Sequence, residues 1–387
     1  MVRDDVIDMI ERVLVHVDAG TLDITDDIWR EPRGAFISQE RFEADREMLK
    51  RVPHVIGWSG EVSQPGDFTT KDVLGIPVIA VRGRDGELRA FVNACAHRGA
   101  QVAAGAGNTS RFTCPYHAWS YGLDGCLSGA PSRKMFDGAQ LETRGLIPLP
   151  VSERGGLIAV GLQGGIDPSS CLDAVAESLS GYNFAGYEHV ETRRFDLATN
   201  WKLAVDVNFE GYHFPYLHRN TLDAFVTNNS VYDTFGRHVR WAFPFRDIVQ
   251  FKDVPQAEWP ARFHGTVVYG IFPSCVLIES PSATQMLRVY PGKTPGESIV
   301  YLTQGSTVPV LTEEQRRGHE AGMAGACAVL RDEDFPTSEA CQLGLESGVD
   351  HVVFGRNEPL LHHLAANWEA ALLQPEIPSV RPDARVT

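Results

Sequence analysis

The sequence has no long uninterrupted apolar run. No segment approaches the ~20 consecutive apolar residues that a membrane-spanning helix needs. The start of the chain, Met1-Val2-Arg3-Asp4-Asp5, carries acids and leads into an amphipathic segment rather than a signal-peptide core. We therefore expect neither a membrane span nor a secretion signal.

Basic residues are scarce relative to acidic ones. The chain has 35 Lys and Arg against 50 Asp and Glu, a formal net charge of −15 at pH 7. A nucleic-acid-binding protein needs a basic face to contact phosphates, so this function class is excluded. An acidic surface keeps a protein dispersed and suits a basic redox partner, although it identifies none.

Cysteine is also sparse. Seven cysteines, an odd number at scattered spacings, do not form a disulfide framework. This usage predicts a reducing compartment, the cytoplasm, in which some cysteines stay available as thiolate ligands for metal.

The chain is long enough for two domains. Its 387 residues are 43% apolar and 22% charged, as in ordinary globular proteins. Short apolar runs alternate with Gly- and Pro-containing turns between about residues 53 and 150, and an α+β pattern follows. Among these turns, Arg84-Asp85-Gly86-Glu87 is predicted to be a hairpin turn between two strands. We expect an α+β fold: a small all-β domain at 46–152 inserted in an antiparallel-sheet and helix domain at 153–387, with helices of residues 1–45 packed on the latter.

Periodicity and turn residues predict the individual elements. The predicted helices are 4–18, 39–50, Asp167–Leu179, Trp201–Tyr212, Glu313–Leu330, Thr337–Ser347 and Glu358–Leu373. The predicted strands of the second domain are Val151–Val160, Glu188–Leu197, Val239–Ile248, Gly265–Phe272, Val276–Glu279, Ala283–Tyr290 and Ser298–Gly305. The tail from Pro375 is predicted to be an extended arm.

Two loops of the all-β domain each carry one Cys and one His. They read Cys95-Ala96-His97-Arg98-Gly99 and Cys114-Pro115-Tyr116-His117-Ala118-Trp119. Two thiolates and two imidazoles suit a tetrahedral zinc site. However, zinc fingers usually group Cys with Cys and His with His, whereas here each loop supplies one of each. A [2Fe–2S] cluster in which two His replace two Cys on one iron predicts this mixed spacing, and we favour it.

A second constellation lies in the stretch from Asn200 to His218. Glu210 precedes His213 by three residues, and His218 follows His213 by five. On a regular helix the two histidines would point roughly 140° apart. Pro215, which cannot continue a helix, is predicted to break the chain so that both imidazoles converge on one metal. Two satisfied core histidines are the alternative.

A metal held by two His needs a further carboxylate, as in the two-His-one-carboxylate sites of non-haem iron enzymes. The candidates are Asp334, which we favour, and its neighbours Asp332 and Glu333. Because Pro336 is typical of a first helical turn, Asp334 could instead be a helix cap.

The two motifs, in this order, resemble those of the Rieske non-haem iron oxygenases, the ring-hydroxylating oxygenase α subunits. Members of that family carry Cys-x-His-Arg-Gly and Cys-Pro-x-His-x-Trp loops, and sixteen residues separate His97 from Cys114 here. They also carry Asn-Trp-Lys before an acid, two residues, a His, four residues and a second His. The sequence departs from the family at Ala118 (usually Gly), Asp206 (often Asn) and Val207 (often Phe).

The resemblance implies the ligands of both metal centres. The [2Fe–2S] ligands would be Cys95, His97, Cys114 and His117, and the mononuclear Fe(II) ligands His213, His218 and Asp334. Glu210 would bridge subunits, bonding His213 and the partner subunit's His117, and so carry the electron between the centres.

The resemblance also implies the activity. The chain would be a terminal oxygenase that uses O₂ and electrons from a reductase or ferredoxin, with NAD(P)H acting only through the reductase. It would form a homotrimer, with or without a β subunit, and hydroxylate a small organic substrate, first of all an aromatic one. A quaternary amine or a methoxy compound is the alternative substrate, with Trp241, Phe243 and Phe245 available as an aromatic cage. A Rieske-type electron carrier without oxygenase activity is the competing class.

Overall fold

The computed structural model of the chain describes residues 3–280, 284–306 and 312–373. These residues divide into two compact units. One contains 3–49, 174–182 and the described residues from 189 onward, and the other contains 50–173 and 183–188. The second unit interrupts the first along the chain, and we call it the inserted unit. The predicted arm from Pro375 and the predicted strand residue Ala283 lie outside the described residues.

Eight α-helices occur in the described residues. They are α1 (Arg3–Ala19), α2 (Gly34–Ile37), α3 (Gln39–Lys50), α4 (Ser169–Ser180), α5 (Trp201–Asp206), α6 (Glu313–Val329), α7 (Phe335–Glu346) and α8 (Pro359–Leu372). Within the same residues, none of these helices has the length and apolarity needed to cross a membrane.

Twenty strands accompany them. In the inserted unit they are β2 (His54–Trp58), β3 (Asp67–Val73), β4 (Ile76–Arg82), β5 (Leu88–Val92), β6 (Ala106–Asn108), β7 (Phe112–Thr113), β8 (Ser120–Tyr121), β9 (Leu127–Gly129), β10 (Pro148–Leu149), β11 (Val151–Arg154) and β12 (Leu157–Val160). In the other unit they are β1 (Trp29–Pro32), β13 (Glu188–Leu197), β14 (Val231–Phe235), β15 (His238–Pro244), β16 (Gly265–Ile271), β17 (Cys275–Glu279), β18 (Thr284–Pro291), β19 (Ser298–Ser306) and β20 (His351–Phe354).

The larger unit is built on a seven-stranded sheet of order β13-β19-β18-β17-β16-β15-β14. From β14 to β19 every neighbouring pair is antiparallel. All seven residues of β15 are buried, which explains its nearly continuous apolar sequence. With helices around this sheet and an all-β inserted unit, the structure confirms the predicted α+β fold class.

The inserted unit consists of three small sheets, of orders β10-β5-β4-β3-β6, β11-β12-β2 and β7-β8-β9. The predicted hairpin turn Arg84–Glu87 is confirmed, because Arg82 pairs with Leu88 across it. The Cys95 loop follows β5, and the Cys114 loop joins β7 to β8. Both cysteines belong to one buried apolar cluster, so the sheets hold the two loops on a common core.

Two predicted strands are too long. The segment Val151–Val160 is a hairpin, β11 and β12, because Gly155 and Gly156 take positive φ angles of 57° and 78° and form a two-residue turn. The segment Val239–Ile248 ends as a strand at Pro244, and a 3₁₀-helix, Arg246–Phe251, follows.

The predicted gap between the helices Glu313–Leu330 and Thr337–Ser347 is also wrong. Helix α6 runs directly into a π-helix, Leu330–Asp334, and this runs into α7. Pro336 has no N–H to donate to the carbonyl four residues earlier. The backbone forms a wider, π-helical turn before this proline and does not leave the helix.

A buried ion pair ties α3 to α5. Lys202 is 2% exposed, and its Nζ lies 2.6 Å from Asp45 Oδ2 and 2.7 Å from the carbonyl oxygen of Ala35. Arg41 also pairs with Asp45, with Nε 2.8 Å from Oδ1. Burial lowers the pKa of Lys202 against the opposing effect of Asp45. The pair therefore depends on both charges being present.

We expect Lys202→Met to destabilise the protein by about 3–5 kcal/mol, because it leaves the Asp45 carboxylate buried without this partner. Urea denaturation followed by tryptophan fluorescence measures the loss. Lys252→Met is the matched control. Lys252 pairs with Asp18 at the surface, so its loss should cost less than about 1 kcal/mol. If the two variants lost equal free energy of unfolding, the buried pair would contribute no more to stability than the surface pair.

Candidate metal centres

His213 and His218 lie on an irregular segment, and their ring centroids are 4.8 Å apart. Helix α5 ends at Asp206, so the predicted helix over Trp201–Tyr212 is wrong beyond that residue. Pro215 does not break the backbone between the histidines as predicted, because hydrogen bonds of a helical turn run across it. The Leu217 N–H donates to the His213 carbonyl (2.8 Å), and the His218 N–H donates to the Phe214 carbonyl (3.1 Å). The helix stops before Glu210, and a single new turn brings the rings together.

Gly211 makes this turn possible. A Cβ atom there would lie 2.3 Å from Asn228 Oδ1 and 3.0 Å from Trp241 Cζ2, closer than side chains approach. A larger residue at position 211 would have to displace the Asn228 side chain and would press on Trp241 of β15, so glycine suits this close approach.

Glu210 holds the ring of His213. Its carboxylate accepts hydrogen bonds from His213 Nδ1–H and from the His213 backbone N–H, the latter at 3.2 Å. Because Nδ1 carries the proton, Nε2 of His213 is left with a free lone pair. This is the arrangement in which an imidazole binds a metal through Nε2.

Asp334 completes a group of three converging side chains. Its Oδ1 lies 3.0 Å from His218 Nε2 and 3.7 Å from His213 Nε2. One ligand atom from each residue lies within 4.8 Å of the others. The helix-cap alternative is wrong: Asp334 has helical φ and ψ of −69° and −51° and makes no side-chain cap bond.

The rival carboxylates point elsewhere. Asp332 is bonded to Arg331, with their side chains 55% and 63% exposed. Glu333 Oε2 accepts a hydrogen bond from His218 Nδ1–H at 2.5 Å, on the far side of the ring from Asp334. This contact of Glu333 was not predicted from the sequence. The position of its carboxylate next to the candidate ligand Asp334 was a signal that it could lie at the site.

The field at this centre favours positive charge. Burial lowers the pKa of His218, but the Asp334 and Glu333 carboxylates outweigh burial and raise it above the ordinary value. Two imidazole nitrogens and a carboxylate oxygen are the donors of a mononuclear non-haem Fe(II) site. The residues present therefore fit such an ion.

The four residues of the Cys and His loops also fit a metal cluster. Cys95 and Cys114 are buried, and the His97 and His117 ring centroids are 4.8 Å apart. Nδ1 of each histidine is buried and has no hydrogen-bond partner among the described residues. Buried polar atoms are normally paired, so these two nitrogens suit metal ligation.

Nearby residues support the loops. Tyr121 Oη lies 3.0 Å from Cys95 Sγ and accepts the Ala96 N–H at 2.9 Å, and burial together with Cys95 raises the pKa of its hydroxyl. Trp119 stacks on His97 with 8° between the planes. Ala118 has a φ of +56°, the left-handed region where glycine is favoured. Ala118 thus takes a backbone conformation that the family's glycine adopts more readily.

Comparisons with known proteins agree with both sites. Residues 184–374 match the family model "Ring hydroxylating alpha subunit (catalytic domain)", and residues 53–143 match "Rieske [2Fe-2S] domain". The carnitine monooxygenase oxygenase subunit of Acinetobacter baumannii is 27% identical over 334 residues, 83% of this chain and 86% of the relative. The chloroplastic choline monooxygenase of Spinacia oleracea is 31% identical over 187 residues, 46% of this chain and 42% of the relative.

A solved structure shares the fold. It is the quaternary ammonium Rieske monooxygenase CntA in complex with L-carnitine, with a TM-score of 0.75 and 22% identity over 89% of this chain and 96% of that chain. The catalytic-domain match distinguishes this chain from an electron carrier, which would need only the cluster domain, and the Rieske match favours a [2Fe–2S] cluster over zinc. The chain belongs to the Rieske non-haem iron oxygenases, as an α (oxygenase) subunit with a [2Fe–2S] cluster and a mononuclear iron.

Proposed function

We propose that this oxygenase subunit monooxygenates a small quaternary amine. The proposed ligands of its mononuclear iron are His213, His218 and Asp334, and those of its cluster are Cys95, His97, Cys114 and His117. The observation that carries the substrate class is an aromatic group beside the two histidines, and the substrates named in the relatives agree with it.

Phe214, Trp241 and Phe243 form this aromatic group. The Phe214 ring centroid lies 5.1 Å from that of His213 and 5.7 Å from that of His218. Trp241 and Phe243 lie 5.6 Å and 5.2 Å from Phe214. Aromatic faces attract quaternary ammonium groups through cation–π interactions. Phe245, the third cage candidate from the sequence, instead packs on His264.

The relatives support the same substrate class. They are named for carnitine and choline, both quaternary amines. The sequence favoured an aromatic substrate and gave a quaternary amine as the alternative. The names of these relatives support the quaternary amine and not the aromatic substrate.

The chain's own residues would divide the work. When bound, the mononuclear iron activates O₂ and the cluster delivers electrons one at a time. One oxygen atom enters the substrate, and the other leaves as water with two electrons and two protons. His213, His218 and Asp334 fix the open face of the site, while the buried aromatic group excludes water and orients the amine.

The electron source is proposed to be a reductase or ferredoxin, and the path between the centres is proposed to cross subunits of a homotrimer, with a β subunit possible. Glu210 would connect His213 to the partner subunit's His117. Tyr212 and Tyr216 follow Glu210 on the same segment and are 58% and 72% exposed. Exposed aromatic side chains of this kind are enriched at protein interfaces. The proposed compartment is the cytoplasm.

The test uses purified protein with a surrogate reductase. We expect O₂ uptake and depletion of carnitine, choline or glycine betaine, and no depletion of naphthalene or benzoate. We also expect choline-type substrates to bind roughly 2- to 30-fold more tightly than a neutral isostere, 3,3-dimethylbutan-1-ol, because cation–π contacts contribute about 0.5–2 kcal/mol. Trp241→Leu should reduce this preference. Oxidation of the aromatic compounds alone would contradict the proposal.

A further inference from the structure

Each iron-site histidine has its own carboxylate partner on Nδ1, and one of these partners has no assigned role. Resting on the ligand set proposed above, we propose that Glu333 is a positioning residue for the mononuclear iron. It fixes the tautomer and ring angle of His218, and Thr221 in turn fixes Glu333.

The contacts of Glu333 are specific. One oxygen, Oε2, accepts His218 Nδ1–H at 2.5 Å and Thr221 Oγ1–H at 2.8 Å. His218 is 1% exposed, so water does not compete for its ring. The Thr221 N–H donates to the His218 carbonyl at 2.9 Å, which sets the hydroxyl beside the carboxylate. The three residues form a closed hydrogen-bonded unit.

The π-helix explains how two consecutive residues can act on one imidazole. In an α-helix adjacent side chains diverge by about 100°. Here the Phe335 N–H donates to the Leu330 carbonyl five residues earlier, and this wider turn reduces the divergence. Asp334 therefore faces Nε2 of His218 at 3.0 Å while Glu333 bonds Nδ1 of the same ring. The irregular turn is the backbone feature that serves the site.

Glu333 and Glu210 make the same type of bond but differ in their surroundings. Among the described residues, the hydrogen bonds of the Glu210 carboxylate go to His213 alone, on a segment that also carries the exposed Tyr212 and Tyr216. Glu333 is held by Thr221 of its own chain. We therefore assign Glu333 to iron binding and not to the electron path.

A carboxylate on Nδ1 raises the basicity of an imidazole ligand and prevents the ring from rotating. Loss of such a partner typically weakens metal binding about 10- to 100-fold. The same loss changes the ligand field, because the donor strength of the imidazole falls.

The test measures metal binding rather than turnover. Full-length protein lacking the mononuclear metal is titrated anaerobically with Fe(II), and with Co(II), whose visible ligand-field bands report the donor set. We expect Glu333→Ala to raise the Kd about 10- to 100-fold and to shift the Co(II) bands. Glu333→Gln should be intermediate, since an amide oxygen still accepts the Nδ1 proton. Thr221→Val should give a smaller effect in the same direction.

Two controls separate the possible failures. Asp332→Asn, in the same π-helix but exposed, should bind as the wild type does. Asp334→Ala should lose the site. The role of Glu333 would be overturned if Glu333→Gln and Thr221→Val both kept the wild-type Kd and the wild-type Co(II) bands while Asp334→Ala lost metal binding. Retained binding in Asp334→Ala would overturn the ligand set itself. If Glu333→Ala does not fold, the other two variants still decide.

Discussion

Glu210→Gln is expected, at saturating Fe(II), to leave both metal centres loaded and to reduce turnover at least about 100-fold, the upper range for loss of a metal-site carboxylate partner. The amide can still accept the His213 Nδ1–H bond that Glu210 makes in the structure, so His213 keeps its orientation. It lacks the negative charge that would bond a second imidazole, that of the partner subunit's His117. The electron path is therefore the function that should fail.

Rapid mixing separates this failure from a loss of substrate or iron. The reduced enzyme is mixed with O₂ and substrate, and the visible absorbance of the cluster reports its reoxidation. In wild-type protein we expect reoxidation to accompany product formation, whereas in Glu210→Gln the cluster should stay reduced while total iron remains unchanged. Glu333→Gln is the matched variant, because it should lower iron affinity but spare reoxidation once iron is saturating. Normal reoxidation in Glu210→Gln would contradict the proposed path.

The local pattern of the sequence was sufficient where structure depends on neighbouring residues. Helix α3 has the predicted bounds, and the Arg84–Glu87 turn joins two strands as predicted. Each of the two Cys and His loops was expected at a hairpin tip. The Cys114 loop does join the paired strands β7 and β8, whereas the Cys95 loop joins β5 to β6, which do not pair with each other.

Prediction from the sequence was wrong where contacts between distant residues determine the backbone conformation. Helix α5 ends at Asp206 rather than continuing to Tyr212, and the segment beyond it runs close to Asn228 and Trp241 at Gly211. No periodicity reveals that contact. Similarly, the π-helix was not predicted, because a proline such as Pro336 usually marks the first turn of a new helix. Here α6 continues through the π-helix into α7 without interruption.

The same limit applies to the site. Spacing predicted that His213 and His218 could share a metal, but it could not choose among three consecutive acids. The choice follows from tertiary geometry: Asp334 faces both Nε2 atoms, Glu333 bonds Nδ1 of His218, and Asp332 lies in solvent. The proline two residues later favoured Asp334 as a helix cap. Asp334 makes no cap hydrogen bond, because its side chain faces the two histidines instead.

Asp334→Ala is expected to abolish turnover and to remove the mononuclear iron while leaving the cluster intact. The variant deletes the carboxylate oxygen that lies 3.0 Å and 3.7 Å from the two Nε2 atoms. Two neutral imidazoles alone bind Fe(II) weakly, because the site loses its anionic donor and one of its three protein ligands. Total iron should fall from about three to about two per chain, since a [2Fe–2S] cluster holds two. Metal analysis beside the visible spectrum of the cluster measures both quantities.

Asp332→Ala provides the comparison, because it removes a carboxylate two residues away that is paired with Arg331 in solvent. It should keep about three irons per chain and its turnover. If Asp332→Ala lost the iron and Asp334→Ala kept it, the third ligand would be misassigned. If Asp334→Ala also lost the cluster spectrum, the variant would be misfolded, and Asp334→Asn would replace it, since the amide preserves the packing of this buried side chain but removes its charge. The geometry therefore predicts a separation that spacing alone could not: one acid of the three governs the iron, its neighbour orients His218, and the third is dispensable.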